Sequence, residues 1–353
     1  MSLTLVSAAE LVHRLADFDT IIDARSEDEF AEDRLPGALN WPTLNNDERR
    51  EVGTTYKQIN AFEARKRGAA MAARNISMHI ERDVLDKPRE WQPLAYCWRG
   101  GKRSGSLALI LDQIGFRVTL VEGGYKAFRA AVVQDIAHLA SQMDFRVVCG
   151  TTGSGKTRLL HALAAQGAQV LDLEALASHR SSVLGAIPGQ SQPTQKHFDM
   201  RVWDHLRRFD VSRPVFVESE SKKVGNVALP TALLDAMRAS ACLNLVLPDH
   251  ERVNLLMEDY DFFVSDTALF CERLDVLSTF RGKAVVEGWK ASVLAGRIEP
   301  VVQELLSLHY DPVYVQSMLR NFSRFDATKT IAPDDRSTGA MTRLAKKMLA
   351  GGV

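Results

Sequence analysis

The eight residues Gly150–Thr157, GTTGSGKT, constrain the folds open to this chain more than any other stretch. They satisfy G-x-x-x-x-G-K-[ST] without a mismatch, between an apolar run, FRVVCG, and a helical pattern, RLLHALAAQ. A strand entering and a helix leaving is the context that makes such glycines a phosphate-binding loop rather than an ordinary turn. Backbone N–H groups then converge on phosphate oxygens, and the helix N-terminus adds its dipole. The candidates are Gly150, Thr151, Thr152, Gly153, Ser154, Gly155, Lys156 and Thr157. Lys156 is expected on a terminal phosphate, and the Thr157 hydroxyl on Mg²⁺ where that ion takes part. The pattern specifies a polyphosphate and leaves the rest of the ligand open.

Nucleotide-using loops of this type usually have an aspartate after a later strand. Here PVFVESES supplies Glu218 and Glu220, with Lys222 and Lys223 just beyond, and Asp172 follows QVL. These are candidate phosphate or Mg²⁺ groups, because open α/β sheets bind ligands beyond the carboxyl ends of their strands. Each alone is equally well read as a solvated strand end.

The same alternation runs through the first half. LTLV, TIIDARS, PLAYC and RVTLVEGG read as strands, and SAAELVHRLADF, SGSLALILDQIGF and YKAFRAAVVQDIAHLA as helices. Strand–helix alternation predicts an α/β fold with parallel sheets in both halves. The expected division is residues 1–135, a linker helix over 136–142, and a phosphate-loop domain over 143–353. From Glu251 onward the pattern turns largely helical, and the closing TRLAKKMLAGGV, being basic, is expected to fray. Ser178–Phe198, with His179, Arg180, Lys196 and His197, reads as a mobile lid over the phosphate site.

Residues 97–104, CWRGGKRS, place a cysteine between a strand and a helix start. A loop curling back there aims N–H groups at the sulfur, and Arg99, Lys102 and Arg103 add positive charge. Cys97 is therefore the candidate catalytic nucleophile, with Trp98, Arg99, Gly100, Gly101, Lys102, Arg103 and Ser104 as an anion loop around it. A buried structural cysteine is the bland alternative, and three adjacent cations argue against it. Cys149, Cys242 and Cys271 lie in apolar contexts and lack metal-ligand spacing. A disulfide framework and a zinc site are therefore not expected, and a reducing cytoplasm is. No run approaches the length of a membrane span.

Lys+Arg and Asp+Glu balance at 44 each, so any nucleic-acid contact must use a local patch. The densest basic segment lies in a helical insertion at about 44–91: Arg49, Arg50, Lys57, Arg65, Lys66, Arg67, Arg74, His79 and Arg82. Lys57, Arg65, Lys66, Arg67 and Arg74 are candidate phosphate contacts, and Tyr56, Trp91 and Trp98 candidate stacking platforms. A solvated helix face explains the segment about as well.

TIIDARSEDEFAEDRLPGALNWP, CWRGGKRS and LVEGGYKAF together resemble rhodanese domains over most of residues 1–135. With VGTTYKQ, GTTGSGKT, VESESKKVGNVALP and HYDPVYVQS, the whole chain resembles the bacterial tRNA 2-selenouridine synthases. That resemblance implies a tRNA substrate with 2-thiouridine at the wobble position, and geranyl diphosphate and selenophosphate as co-substrates. It implies S-geranylation followed by replacement of sulfur by selenium, without haem, flavin or zinc. It carries the selenium-handling cysteine onto Cys97 and the phosphate loop onto Gly150–Thr157. One departure is Lys102, where many rhodanese loops have arginine, with Arg103 next. LLMEDYDFFVSDTALF and SVLGAIPG are candidates to line an apolar slot for geranyl, with core packing the commoner reading of any one aromatic. Two other readings stand at this point: an ATP-dependent sulfurtransferase or kinase fusion, and a non-catalytic rhodanese-like binding module.

Overall fold

Apolar runs bounded by turn residues pair as parallel strands in both five-stranded sheets of the computed structural model, which describes Leu3–Gly351. The chain divides into two compact units, residues 1–138 with 193–204, and residues 139–192 with 205–353. The return of 193–204 to the first unit is invisible in the linear pattern.

The first unit holds strands β1 (Thr4–Val6), β2 (Thr20–Asp23), β3 (Leu39–Asn40), β4 (Pro93–Tyr96) and β5 (Thr119–Val121). They form one parallel sheet in the order β1-β5-β4-β2-β3. Cys97 follows the end of β4 and begins the turn into helix Lys102–Ile114. Between β3 and β4 the insertion forms two helices, Asn46–Gln58 and Ala61–Asp83, which pack on each other. Asn45 and Glu48 form a capping box that starts the first of them. Trp91 is core rather than a stacking platform: it is buried, donates to Thr20 Oγ1 at 3.0 Å and meets Phe116 edge to face. His79 is also interior, stacked on Trp41 and 3.1 Å from the Pro42 carbonyl.

The second unit contains β6 (Phe145–Cys149), β7 (Gln169–Leu171), β8 (Val215–Glu218), a small hairpin of β9 (Lys223–Val224) and β10 (Val227–Ala228), β11 (Ala241–Leu245) and β12 (Lys329–Ile331). Its parallel sheet runs β12-β11-β6-β8-β7, with the phosphate loop on the central strand. Strand β12 interrupts the segment expected to be helical. It lies beside β11, and Ile331 joins the core. The expected fraying over 342–353 is corrected for the described residues, the last two positions lying outside them. Helix Thr338–Leu349 buries Ala340, Met341, Leu344, Ala345 and Met348, an apolar stripe at helical spacing that outweighs its basic outer face. Between β11 and β12, helices pack around Phe263, Phe270, Leu274, Trp289 and Val301. Among the described residues, no helix is long and apolar enough to cross a membrane.

Candidate functional site

Cys97 sits at the floor of its loop, 3% exposed. The Gly101 N–H and the Ser104 hydroxyl both donate to its Sγ at 3.2 Å, so two donors at a helix start converge on the sulfur. The turn needs glycine at 124, where φ is +60° and a Cβ would run into the Cys97 carbonyl and the Gly100 nitrogen. Of the three cations near the sulfur in sequence, Arg103 is committed elsewhere, donating to Glu29 at 2.6 Å. Burial works against the charge of Glu29, but Arg103 and Arg49 outweigh it and hold that carboxyl below the usual range. Arg99 and Lys102 are exposed and carry no ion pair among the described residues. Trp98 stacks on Tyr125, with ring centroids 5.4 Å apart, and the Lys196 ammonium lies 5.9 Å from the Trp98 ring centroid.

Tyr125 links this loop to a buried polar network that the sequence did not reveal. Its hydroxyl donates to Asp33 at 2.6 Å, and His197 Nδ1 lies 3.3 Å from the same carboxylate. Lys196 also pairs with Glu32 at 2.7 Å. Lys196 and His197 thus belong to helix Gln195–Leu206 on the first unit, and the lid expectation fails for them.

In the second unit, Gly155 adopts φ +87° and caps helix Lys156–Ala165. Lys156 Nζ donates to the carbonyls of Gly150 at 2.6 Å and Thr151 at 3.4 Å. The loop from Thr152 to Thr157 lines a cavity of about 810 Å³, together with Asp172, Glu174, Glu220 and Ser178–Ser182. The remaining part of the lid expectation, His179 and Arg180, therefore falls on the cavity wall. Ser154 Oγ is buried without a partner among the described residues. Asp172 caps helix Leu173–Ala177 and pairs with His161 at 3.0 Å. Glu218 is buried, and its Oε1 accepts from the Glu174 N–H at 3.0 Å. Glu220 accepts from the Ser181 hydroxyl. Burial pushes the Glu174 carboxyl up to about 7 and that of Glu220 to about 8. Glu218 rises well above the usual range, for the same reason and through repulsion from Asp172 and Glu174. Lys222, just before β9, and Lys223, its first residue, are exposed and absent from the lining.

Those carboxylates offer no ready cage for Mg²⁺. No three metal-ligating side chains converge among the described residues, and the Thr157 hydroxyl points to Glu174 at 3.4 Å. Glu174, Tyr310 and Tyr314 also line the cavity, and Arg252 donates to the Thr152 carbonyl; none is a candidate from the sequence, although Tyr310 and Tyr314 lie in HYDPVYVQS. A second, narrow pocket of about 60 Å³ is walled by Leu184, Met257, Phe263, Val264, Phe270 and Leu305. Thr152, Ser182, Leu256, Tyr260 and Tyr310 line both spaces, so the narrow pocket adjoins the cavity of the loop. Cys149, just before the loop, is pushed up by its hydrogen bond with Cys242 and by burial, and stays a thiol.

On the insertion, Lys66 pairs with Glu63, Arg67 with Glu51 and Arg74 with Glu48. Tyr56, Lys57 and Arg65 are exposed, and neither cation has an ion pair among the described residues.

Residues 7–131 match the rhodanese-like domain family, and residues 143–283 match the tRNA 2-selenouridine synthase AAA domain family. A tRNA 2-selenouridine synthase of Nitrosomonas europaea is 37% identical over 244 residues, 68% of this chain and 63% of its own length. That of Aeromonas salmonicida is 31% identical, covering 74% of this chain and 71% of its own. That of Bdellovibrio bacteriovorus is 26% identical over 94% of this chain and 99% of its own. With a cysteine loop on one parallel sheet, a phosphate loop on another and these relatives along its length, the chain belongs to the tRNA 2-selenouridine synthase family.

Proposed function

We propose that this protein replaces the sulfur of wobble 2-thiouridine in tRNA with selenium, in two steps carried by its two units. The observation that supports the two-step reading is that an apolar pocket adjoins the phosphate-loop cavity, the two sharing Thr152, Ser182, Leu256, Tyr260 and Tyr310 as wall. An isoprenoid diphosphate such as geranyl diphosphate has the matching shape, an anionic head and an apolar tail. Its diphosphate lies on the loop N–H groups and Lys156, and its tail runs past Leu256 toward Phe263 and Phe270. The thiouridine sulfur attacks C1 of the geranyl group, the C1–O bond breaks, and diphosphate departs with the electron pair. The N–H dipoles and the Lys156 charge stabilise that developing charge. The base loses its N3 proton to solvent.

Alkylation turns a thione into a thiolate leaving group and makes C2 electrophilic. At the other unit, the donors on Cys97, together with Arg99 and Lys102, suit an anionic selenium donor such as selenophosphate. Its selenium attacks C2, the C2–S bond breaks, and geranylthiol leaves after taking a proton. Water then removes phosphate from selenium. The exposed Tyr56, Lys57 and Arg65, with the ion-paired Lys66, Arg67 and Arg74 nearby in sequence, supply an aromatic and basic surface for RNA.

The test is nucleoside mass analysis of 2-thiouridine tRNA incubated with geranyl diphosphate and selenophosphate. Cys97→Ala is expected to accumulate S-geranylated base without selenouridine, and Lys156→Ala to make neither. A folded Cys97→Ala that makes no geranylated base overturns the division of labour. Nucleotide hydrolysis by the pure protein, with no uptake of geranyl diphosphate, would favour the ATP-dependent reading instead.

A further inference from the structure

The segment His309–Ser317, HYDPVYVQS, has no part in the chemistry so far beyond the cavity wall that Tyr310, Val313, Tyr314 and Ser317 supply. It leaves the π-helical turn Leu305–Tyr310, a rare geometry frequent at functional sites, and opens helix Asp311–Asn321. Two clamps hold it on the phosphate loop. Arg252, itself buried, donates to the Thr152 carbonyl at 3.0 and 2.9 Å and grips both oxygens of Asp311 at 3.0 and 2.6 Å. The Tyr314 hydroxyl accepts from the Gly150 N–H at 2.6 Å and lies 3.0 Å from Ser219 Oγ.

Held at its hydroxyl end, the Tyr314 ring stands with its centroid 5.5 Å from the Lys156 ammonium. An ammonium has three donors. Two of those on Lys156 face the carbonyls of Gly150 and Thr151, and the ring closes a further side. One of the three N–H groups is then left without a carbonyl partner. Burial also raises the pKa of the phenol, so Tyr314 brings no charge of its own to attract or repel phosphate.

We propose that Tyr314 sets the polyphosphate length of this loop, its ring filling the space past Lys156 that the third phosphoryl group of a triphosphate would need. The proposal rests on the diphosphate reading above. A phosphate loop shared in outline with triphosphate-using proteins would thereby be confined to a diphosphate by one aromatic side chain.

The experiment measures calorimetric binding of inorganic pyrophosphate and inorganic tripolyphosphate to the full chain and to Tyr314→Ala, Tyr314→Leu and Tyr314→Phe. Wild type is expected to prefer pyrophosphate by about tenfold or more. Tyr314→Phe keeps the ring and should keep that ratio. Tyr314→Ala and Tyr314→Leu should shift the ratio toward tripolyphosphate by about tenfold. If Tyr314→Ala does not fold, as judged by circular dichroism, Tyr314→Leu decides. Equal binding of both anions by wild type overturns the role of Tyr314 while leaving a phosphate site in place. A ratio unchanged in folded Ala and Leu variants does the same. Binding of neither anion by wild type overturns the diphosphate reading as well.

Discussion

Glu174 and Glu220 stand beside Lys156 in a cavity suited to anions, and burial pushes their carboxyls up to about 7 and about 8. A carboxyl whose folded pKa exceeds its unfolded value, here 4.5, stabilises the fold fully below the unfolded value. That contribution is lost as pH rises through the folded pKa. The melting temperature of the free protein should therefore fall between about pH 5 and pH 8, and Glu220→Gln should flatten the upper part of that slope. A thermal-shift series across pH checks it, and a wild-type profile flat over this window would contradict the assignment. At this scale the sequence is uneven in what it reveals. Cys97 and Lys156 are marked by neighbours a few positions away, because loops of this kind are local objects. Glu174, Arg252 and Tyr314 reach the same loop from distant segments, and only the folded sheet brings them there.

Among the elements, strands and phosphate-loop context were legible because apolar runs and glycines act locally. The ends of elements were less so. Helix Thr338–Leu349 was read through its charges, whereas its buried stripe packs on helix Lys156–Ala165, which the phosphate loop opens. Met341 is fully buried there, and a Cβ at Gly155 would meet its Cε. Met341→Ala should accordingly cost about 2–5 kcal/mol by chemical denaturation, from lost burial plus the cavity left behind. A loss within a few tenths of a kcal/mol would mean that the closing helix is not part of this core. Strand β12 was missed for a similar reason. Its three residues are too short to show a period, and pairing with β11 rather than local propensity makes them a strand.

Across the whole molecule, sequence order and spatial membership part company at residues 193–204, which join the first unit after the phosphate loop has been made. Trp203 is fully buried there, donates to Asp135 at 2.8 Å and meets Phe128 edge to face. Trp203→Ala should cost about 3–5 kcal/mol. It should release hydrogen-exchange protection along helix Gly124–Gln142 while sparing strand β6. Protection lost first in β6 would refute that assignment. The return also bears on how the protein is made. Domains commonly finish folding in the order in which they leave the ribosome. Here the first unit must wait, with the Phe128 side of its helix uncovered, until the nascent chain has delivered Trp203. A gene cut after codon 138 would yield a product lacking that cover, so the rhodanese-like half of this chain is not a module that recombination can lift out cleanly.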